Sequence, residues 1–350
     1  MTRGLQTCGR HRVRAGAAAI TLAAGLALLG SAEVYTQAGQ ARARAVWPPV
    51  LSGPAQGEVE VLPVAGKVFM ITNAGANITV QAGDQGMLLV DTGTAAMSAK
   101  VIAALKTISQ RPLRYIINTT HAADHVGGNA AVAATGEIIP FRDPNYTAGP
   151  QGALDIKKAS VISYLSVFHT MAGATGQAAT PDAGWPDNTF STPLKRLSFN
   201  DEPVVIMHRP GVIEGGSVVL FRKSDVVSAG DLLDLTAYPR IDAEAGGGLR
   251  PIVDGLNRLI EITVPSANAS GGTLVVPGHG RISDHAEVAY YRDMTAIIRD
   301  RIEDMIRKKM TVAQVKAARP TRDWDARYGT STGPWTTDMF VEAAYRSLSK

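Results

Sequence analysis

The stretch Thr119-Thr120-His121-Ala122-Ala123-Asp124-His125-Val126-Gly127-Gly128-Asn129 decides how the rest of the chain is read. It follows Arg114–Asn118, a β-branched and aromatic run that predicts a strand. Two glycines then allow a sharp turn and close backbone approach, and a helix is expected to begin near Asn129. Asp124 and His125, both able to ligate a metal, thus stand where a strand gives way to a turn.

Two more strand ends carry the same chemistry. Asp225–Ser228 runs into Gly230-Asp231, and Thr273–Val276 runs into Pro277-Gly278-His279-Gly280. Side chains leaving the ends of several strands can converge on one point, and Asp and His suit zinc or iron. Upstream, the apolar run Met87–Val90 ends at Asp91-Thr92-Gly93.

The order Asp-Thr-Gly, Asp-His-x-Gly-Gly-Asn, a Gly-Gly-Ser strand, Gly-Asp and Pro-Gly-His-Gly resembles the metallo-β-lactamase superfamily. The resemblance covers roughly Val59 to Arg281. It implies an α/β fold, a four-layer αββα sandwich with metals at one edge between two sheets, here followed by a C-terminal helical extension. It also implies a small-molecule substrate and a role for Asp91 in bracing the metal loops by hydrogen bonds.

The departures from the family pattern are grouped. The family's first motif is His-x-His-x-Asp-His; aligned on Asp124-His125, its two leading histidines are Thr120 and Ala122. The next family histidine follows Pro-Gly, and after Pro210-Gly211 this chain has Val212. Those three histidines together make one metal site in the family. The second set, Asp124, His125, Asp231 and His279, is complete. The expectation is one ion, zinc or alternatively iron, with Asp124 as base and Thr120 as a water-holding hydroxyl. If all four ligands bind, a zinc is closed, and chemistry needs a fifth position or release of Asp231.

The other candidates have competing readings. His121 is a possible extra ligand if the backbone shifts, or a side chain on the opposite face, since neighbours on a strand alternate. His208 is expected on a strand, His285 at a helix start, and His169 packed in a middle helix. Glu214 either returns a carboxylate to the emptied site or is solvated. Asp234 and Tyr238 are candidates for lining the pocket.

The remaining pattern supplies alternating strands and helices. Strands are expected at Val59–Val64, Val68–Thr72, Asn77–Gln81, Val204–Met207 and Ser217–Arg222. Helices are expected over Ala95–Ser109, Ile252–Thr263, Ala286–Lys308 and Thr337–Leu348, and a helix-like piece over Lys157–Met171. Gly173 to Thr192 reads as a long loop, and the whole segment 143–193 is expected either to cover the cleft, with Tyr146, Tyr164, Trp185 and Phe190 touching an apolar group, or to pack against the sandwich edge. The expected division is 1–44 leader and linker, 45–310 main domain, 311–350 helical tail.

The 350-residue chain has a formal net charge of +4. Its start reads as a secretory signal: Arg3, Arg10, Arg12 and Arg14, then apolar Ala15 to Leu29, then small residues. The expectation is export to the periplasm or outside the cell, with no stable membrane span once the leader is removed. Residues 1–44 hold six arginines and one acid, Glu33, so about −1 remains without them. No basic stripe for nucleic acid is left. The only cysteine, Cys8, lies in the leader, so thiol ligands and disulfides are excluded from the mature part. Three functions follow in order: an exported single-metal hydrolase, a non-catalytic binder using the same cleft, and a conventional β-lactam hydrolase. Oligomeric state is left open.

Overall fold

The computed structural model describes residues 57–138, 158–174, 179–264 and 272–350. The expected leader and Tyr146 lie outside these residues.

The first sheet is built in chain order from β1 (Glu60–Ala65), β2 (Val68–Thr72), β3 (Ile78–Gly83), β4 (Gly86–Val90), β5 (Leu113–Ile117), β6 (Ser160–Tyr164) and β7 (Asn188–Phe190). Its early strands pair antiparallel, whereas β4, β5, β6 and β7 run parallel. The second sheet has the order β12 (Leu274–His279), β11 (Val226–Asp234), β10 (Ser217–Phe221), β9 (Glu202–His208), β8 (Leu194–Phe199). Only β11 and β12 are parallel there.

Three apolar clusters separate four layers. On β4, Leu88 and Val90 point between the sheets, while Met87 and Leu89 point outward under the helix Ser98–Ile108. On β9, Val204 and Ile206 meet them from the other side, and Val205 and Met207 face the outer helices. This two-residue alternation is how a strand serves two cores at once. The third cluster joins β11 and β12 to the helices Leu249–Thr263, His285–Arg307 and Thr337–Leu348. The αββα sandwich is therefore present. The last 40 residues add Val315, Tyr328, Phe340, Val341, Ala344 and Leu348 to that same third core.

Three sequence expectations need correction. Residues 160–164 form a strand, not a helix; the helix is only Leu165–Met171. Val161 and Ile162 are wholly buried on opposite faces of a central parallel strand, and such short apolar runs have no period to separate strand from helix. Within the expected loop 173–192, residues 188–190 form β7, whose Phe190 packs between the sheets. The strand expected to stop at Ser228 continues to Asp234, with Asp231 inside it.

Candidate metal centre

Asp91 begins the construction of the site. It follows β4 with φ 65°, a left-handed backbone uncommon for a side-chain-bearing residue. Its carboxylate is anchored on both oxygens. The Thr119 amide donates to Oδ1 at 2.8 Å, and the Thr119 hydroxyl donates to Oδ2 at 2.6 Å. The same Oδ2 accepts from His125 Nδ1 at 2.7 Å. Asp91 thus fixes the ring of His125 and leaves Nε2 facing the other sheet. There Asp231 Oδ1 lies 2.8 Å away.

His279 arrives from the end of β12. Its Nε2 lies 3.4 Å from Asp124 Oδ2 and 3.5 Å from Asp231 Oδ1, and it makes no hydrogen bond although buried. The β11–β12 approach that brings it there depends on glycine. A Cβ on Gly278 would fall 2.8 Å from the Gly230 carbonyl oxygen, and one on Gly230, at φ 52°, would fall 2.7 Å from the Thr119 hydroxyl. Asn77 locks the same turn, donating to the carbonyls of Pro277 at 3.0 Å and Gly280 at 2.8 Å. Asn129 secures the Asp124–His125 loop from below by accepting from Thr92 and Asn118 and donating to Gly184.

One ligand atom each from Asp124, His125 and His279 lies within 4.8 Å of the others. Asp231 stands against both imidazoles but is not within that triad. Burial would lower the proton affinity of His125, yet Asp231 and Asp91 outweigh it and hold the imidazole well above its ordinary range. Burial likewise opposes the charge on His279, and Asp124 and Asp231 push it up to about 9. His279 holds Asp124 below its usual range, against the opposing effect of burial. Burial would raise Asp231, but the two histidines hold it well below the carboxylate range.

The emptied half of the family pattern is closed. Thr120 and Val212 are buried and line a cavity of about 10 Å³ with Thr119, Ser217, Asp231 and Leu232, roughly the space of one water. Thr120 faces this cavity, and its hydroxyl accepts weakly from the Ala122 amide at 3.4 Å.

The remaining candidates are drawn elsewhere. His121 turns to Asp242, with Nε2 3.4 Å from Oδ2. His208, at the end of β9, stacks on Tyr164 with ring centroids 3.7 Å apart and its Nε2 donates to the Glu214 carbonyl. Glu214 accepts from Ser166 and does not reach the emptied site. Asp234 caps the turn at Thr236 and Ala237, and Tyr238 donates to Thr321 and Asp325 among the C-terminal helices. His285 begins its helix, whereas His169 is exposed and not packed.

One site residue was not legible beforehand. Arg240, in the loop after β11, donates from Nη1 to Asp124 Oδ2 at 3.2 Å. Arginine is not a metal ligand, and no motif surrounds it.

A family model described as the metallo-beta-lactamase superfamily matches residues 71–279, more than half of the chain. The chain belongs to the metallo-β-lactamase superfamily. Among solved structures, a double mutant of the sec-alkyl sulfatase PisA1 is similar with TM-score 0.57 and 15% identity, over 82% of this chain and 50% of that one. The stereoselective inverting sec-alkylsulfatase Pisa1 from Pseudomonas sp. gives TM-score 0.55, again at 15% identity and with the same coverage. The chain spans about half the length of these alkylsulfatases. A metallo-beta-lactamase from Pontibacter korlensis gives TM-score 0.50 and 18% identity over 68% of this chain and 99% of that one. At such identities the likeness speaks for the fold. No curated protein sequence matches the chain. Metal binding is typical of the superfamily, and the Asp124–His125–His279 cluster is where this member could hold an ion. Among the described residues no helix is long and apolar enough to cross a membrane.

Proposed function

We propose that this superfamily member is an exported hydrolase of small molecules that works with a single metal ion, zinc or alternatively iron. The observation that carries the reading is the convergence of Asp124, His125 and His279, whose ligand atoms lie within 4.8 Å of one another, with the buried Nε2 of His279 set 3.4 and 3.5 Å from the carboxylates of Asp124 and Asp231. Asp124, His125 and His279 would hold the ion, and Asp231 would complete the set. Bound there, it would supply Lewis-acid polarisation of a substrate oxygen and acidify water.

The protein's own groups set the rest. Asp91 orients His125 through Nδ1, the arrangement that fixes a ligating histidine's tautomer. Asp124 is a weak base while His279 and Arg240 share it, so it takes a proton only when those contacts loosen. Thr120 and Ser217 offer hydroxyls to the small cavity and can fix one water beside Asp231. Export rests on the arginine-rich, apolar, small-residue order of the first 32 residues.

The second reading, a binder without metal, is favoured by charge. Protonated His125, protonated His279 and Arg240 balance Asp91, Asp124 and Asp231 with no ion at all. Metal content decides between the two. The full chain is dialysed against trace zinc or ferrous iron and its bound metal counted. About one equivalent, lost in Asp124→Ala, is expected. No bound metal would leave the binder. Metal-dependent turnover is then sought on carboxylic esters, thioesters, lactams and sulfate esters, the last because similar structures are named alkylsulfatases.

A further inference from the structure

Arg240 belongs to two places at once. Its Nη1 is on Asp124, and the same side chain closes the inner end of a groove of about 550 Å³ between residues 240–244 and the C-terminal helix Thr337–Leu348. Ile241, Trp335, Met339 and Ala343 give this groove its apolar lining. Met339 is 44% exposed there, one of few large apolar side chains so open among the described residues. Trp335 is held in place by its indole N–H, which donates to the Tyr238 carbonyl.

Apart from Glu244, which is exposed and has no ion pair among the described residues, the acidic lining residues are committed. Glu342 accepts from Lys316 and Arg346, and Asp242 faces His121. Arg240 is not: its contact with Asp124 is its one hydrogen bond among the described residues, and its Nε is buried without a partner. The side chain is nevertheless 42% exposed, so the guanidinium presents its outer face to the groove. A planar cation with spare donors at the end of an apolar trough is suited to a planar or tetrahedral oxyanion.

We propose that this groove is the substrate-binding site and that Arg240, at its inner end, anchors the anionic head of a small molecule whose body is apolar. The C-terminal helix then forms one wall of the site. Arg240 also becomes the specificity-determining residue, since it stands between the groove and the Asp124 cluster. The proposal rests on the reading of that cluster as the reacting centre, but its test needs no metal.

Octanoate, octan-1-ol and octylammonium are titrated into the full chain, with and without zinc, and tryptophan fluorescence is followed. Trp335→Phe assigns the signal to the groove. Octanoate is expected to bind about tenfold or more tightly than octanol, the usual worth of hydrogen bonds to a charged group. Arg240→Met should bring octanoate to the level of octanol while leaving octanol binding unchanged. Met339→Glu, at an exposed position that does not endanger folding, should weaken octanoate several-fold. Octanoate binding no tighter than octanol or octylammonium, or unaffected by Arg240→Met, overturns the proposal. Absence of bound zinc alongside preferential octanoate binding would remove the hydrolase reading and leave the groove assignment standing.

Discussion

Oδ2 of Asp124 lies 3.2 Å from Arg240 Nη1 and 3.4 Å from His279 Nε2. A guanidinium and an imidazole therefore compete for the oxygen that a metal ion would need.

Removing the guanidinium should favour metal. Arg240→Met is expected to tighten zinc binding by about fivefold, or about 1 kcal/mol, after discounting for the exposure of the arginine. Competition against a calibrated chelator measures this. Weaker binding would show that Arg240 presents Asp124 to the ion instead.

Metal and protons should oppose each other at His279. With its folded-state value at about 9 and its ordinary one at 6.5, its ion pairs stabilise the metal-free protein fully below 6.5. That stability is lost as pH rises through about 9. The depressed Asp124 and Asp231 act in the other direction, contributing above the ordinary carboxylate range and losing this as pH falls. Thermal melts of metal-free protein should thus fall in midpoint between about pH 7 and pH 9.5. With saturating zinc the stabilisation should grow over that interval, because the ion binds deprotonated imidazoles. A midpoint independent of pH in both forms would contradict the arrangement.

Asp91→Asn isolates the charge beneath His125. Asparagine tolerates the left-handed backbone at φ 65° and can still accept from Thr119. The buried His125 would lose one of its two carboxylates, a change expected to cost about 3 kcal/mol in urea unfolding. Zinc affinity should drop by about tenfold or more. A loss of affinity without a loss of stability would mean that the metal-free cluster is not ionic.

Restoring one family histidine should not restore a site. Val212→His places a ring in the wall of a cavity of about 10 Å³ and should destabilise by about 1–3 kcal/mol, the cost of burying a polar group. Bound metal should stay at one equivalent. A gain toward two would mean that the loop Pro210–Gly216 opens readily.

Phe340→Ala tests whether the last helix is an appendage. The side chain is wholly buried against Tyr238, ring centroids 4.8 Å apart. Its loss should lower global stability by about 3–5 kcal/mol in one cooperative transition. A separate early transition would mark residues 311–350 as an independent unit.

The fold was largely readable because its short β-branched and apolar runs are bounded by turns marked by Gly-Asp, Pro-Gly-His and Gly-Gly-Asn. Residues 160–164 escaped because a strand buried on both faces carries no period. The convergence of Asp124, His125 and His279 followed from their places where strands end or give way to turns, whereas Asp231 lies inside β11. Arg240 did not, since its meeting with Asp124 is made by a loop path between β11 and the helix Leu249–Thr263 that no local pattern encodes. His121 and Glu214 show the complement: both lie beside the motif in sequence, and neighbouring side chains draw both away from it.

The row Thr119–Asp91–His125–Asp231 runs from one sheet to the other and is buried along its length. It acts as a rivet through the sandwich as well as a foundation for a metal. Thr120, Ala122 and Val212 lie off that row, so exchanging their histidines leaves the rivet whole. A superfamily chain could therefore shed half its chemistry at these three positions with little harm to its architecture, whereas Asp91, His125 and Asp231 are tied to it mechanically. Retention of those three is what sheet adhesion alone would enforce. His279 and Asp124, the two candidate ligands outside the rivet, are the positions whose identity speaks for the ion.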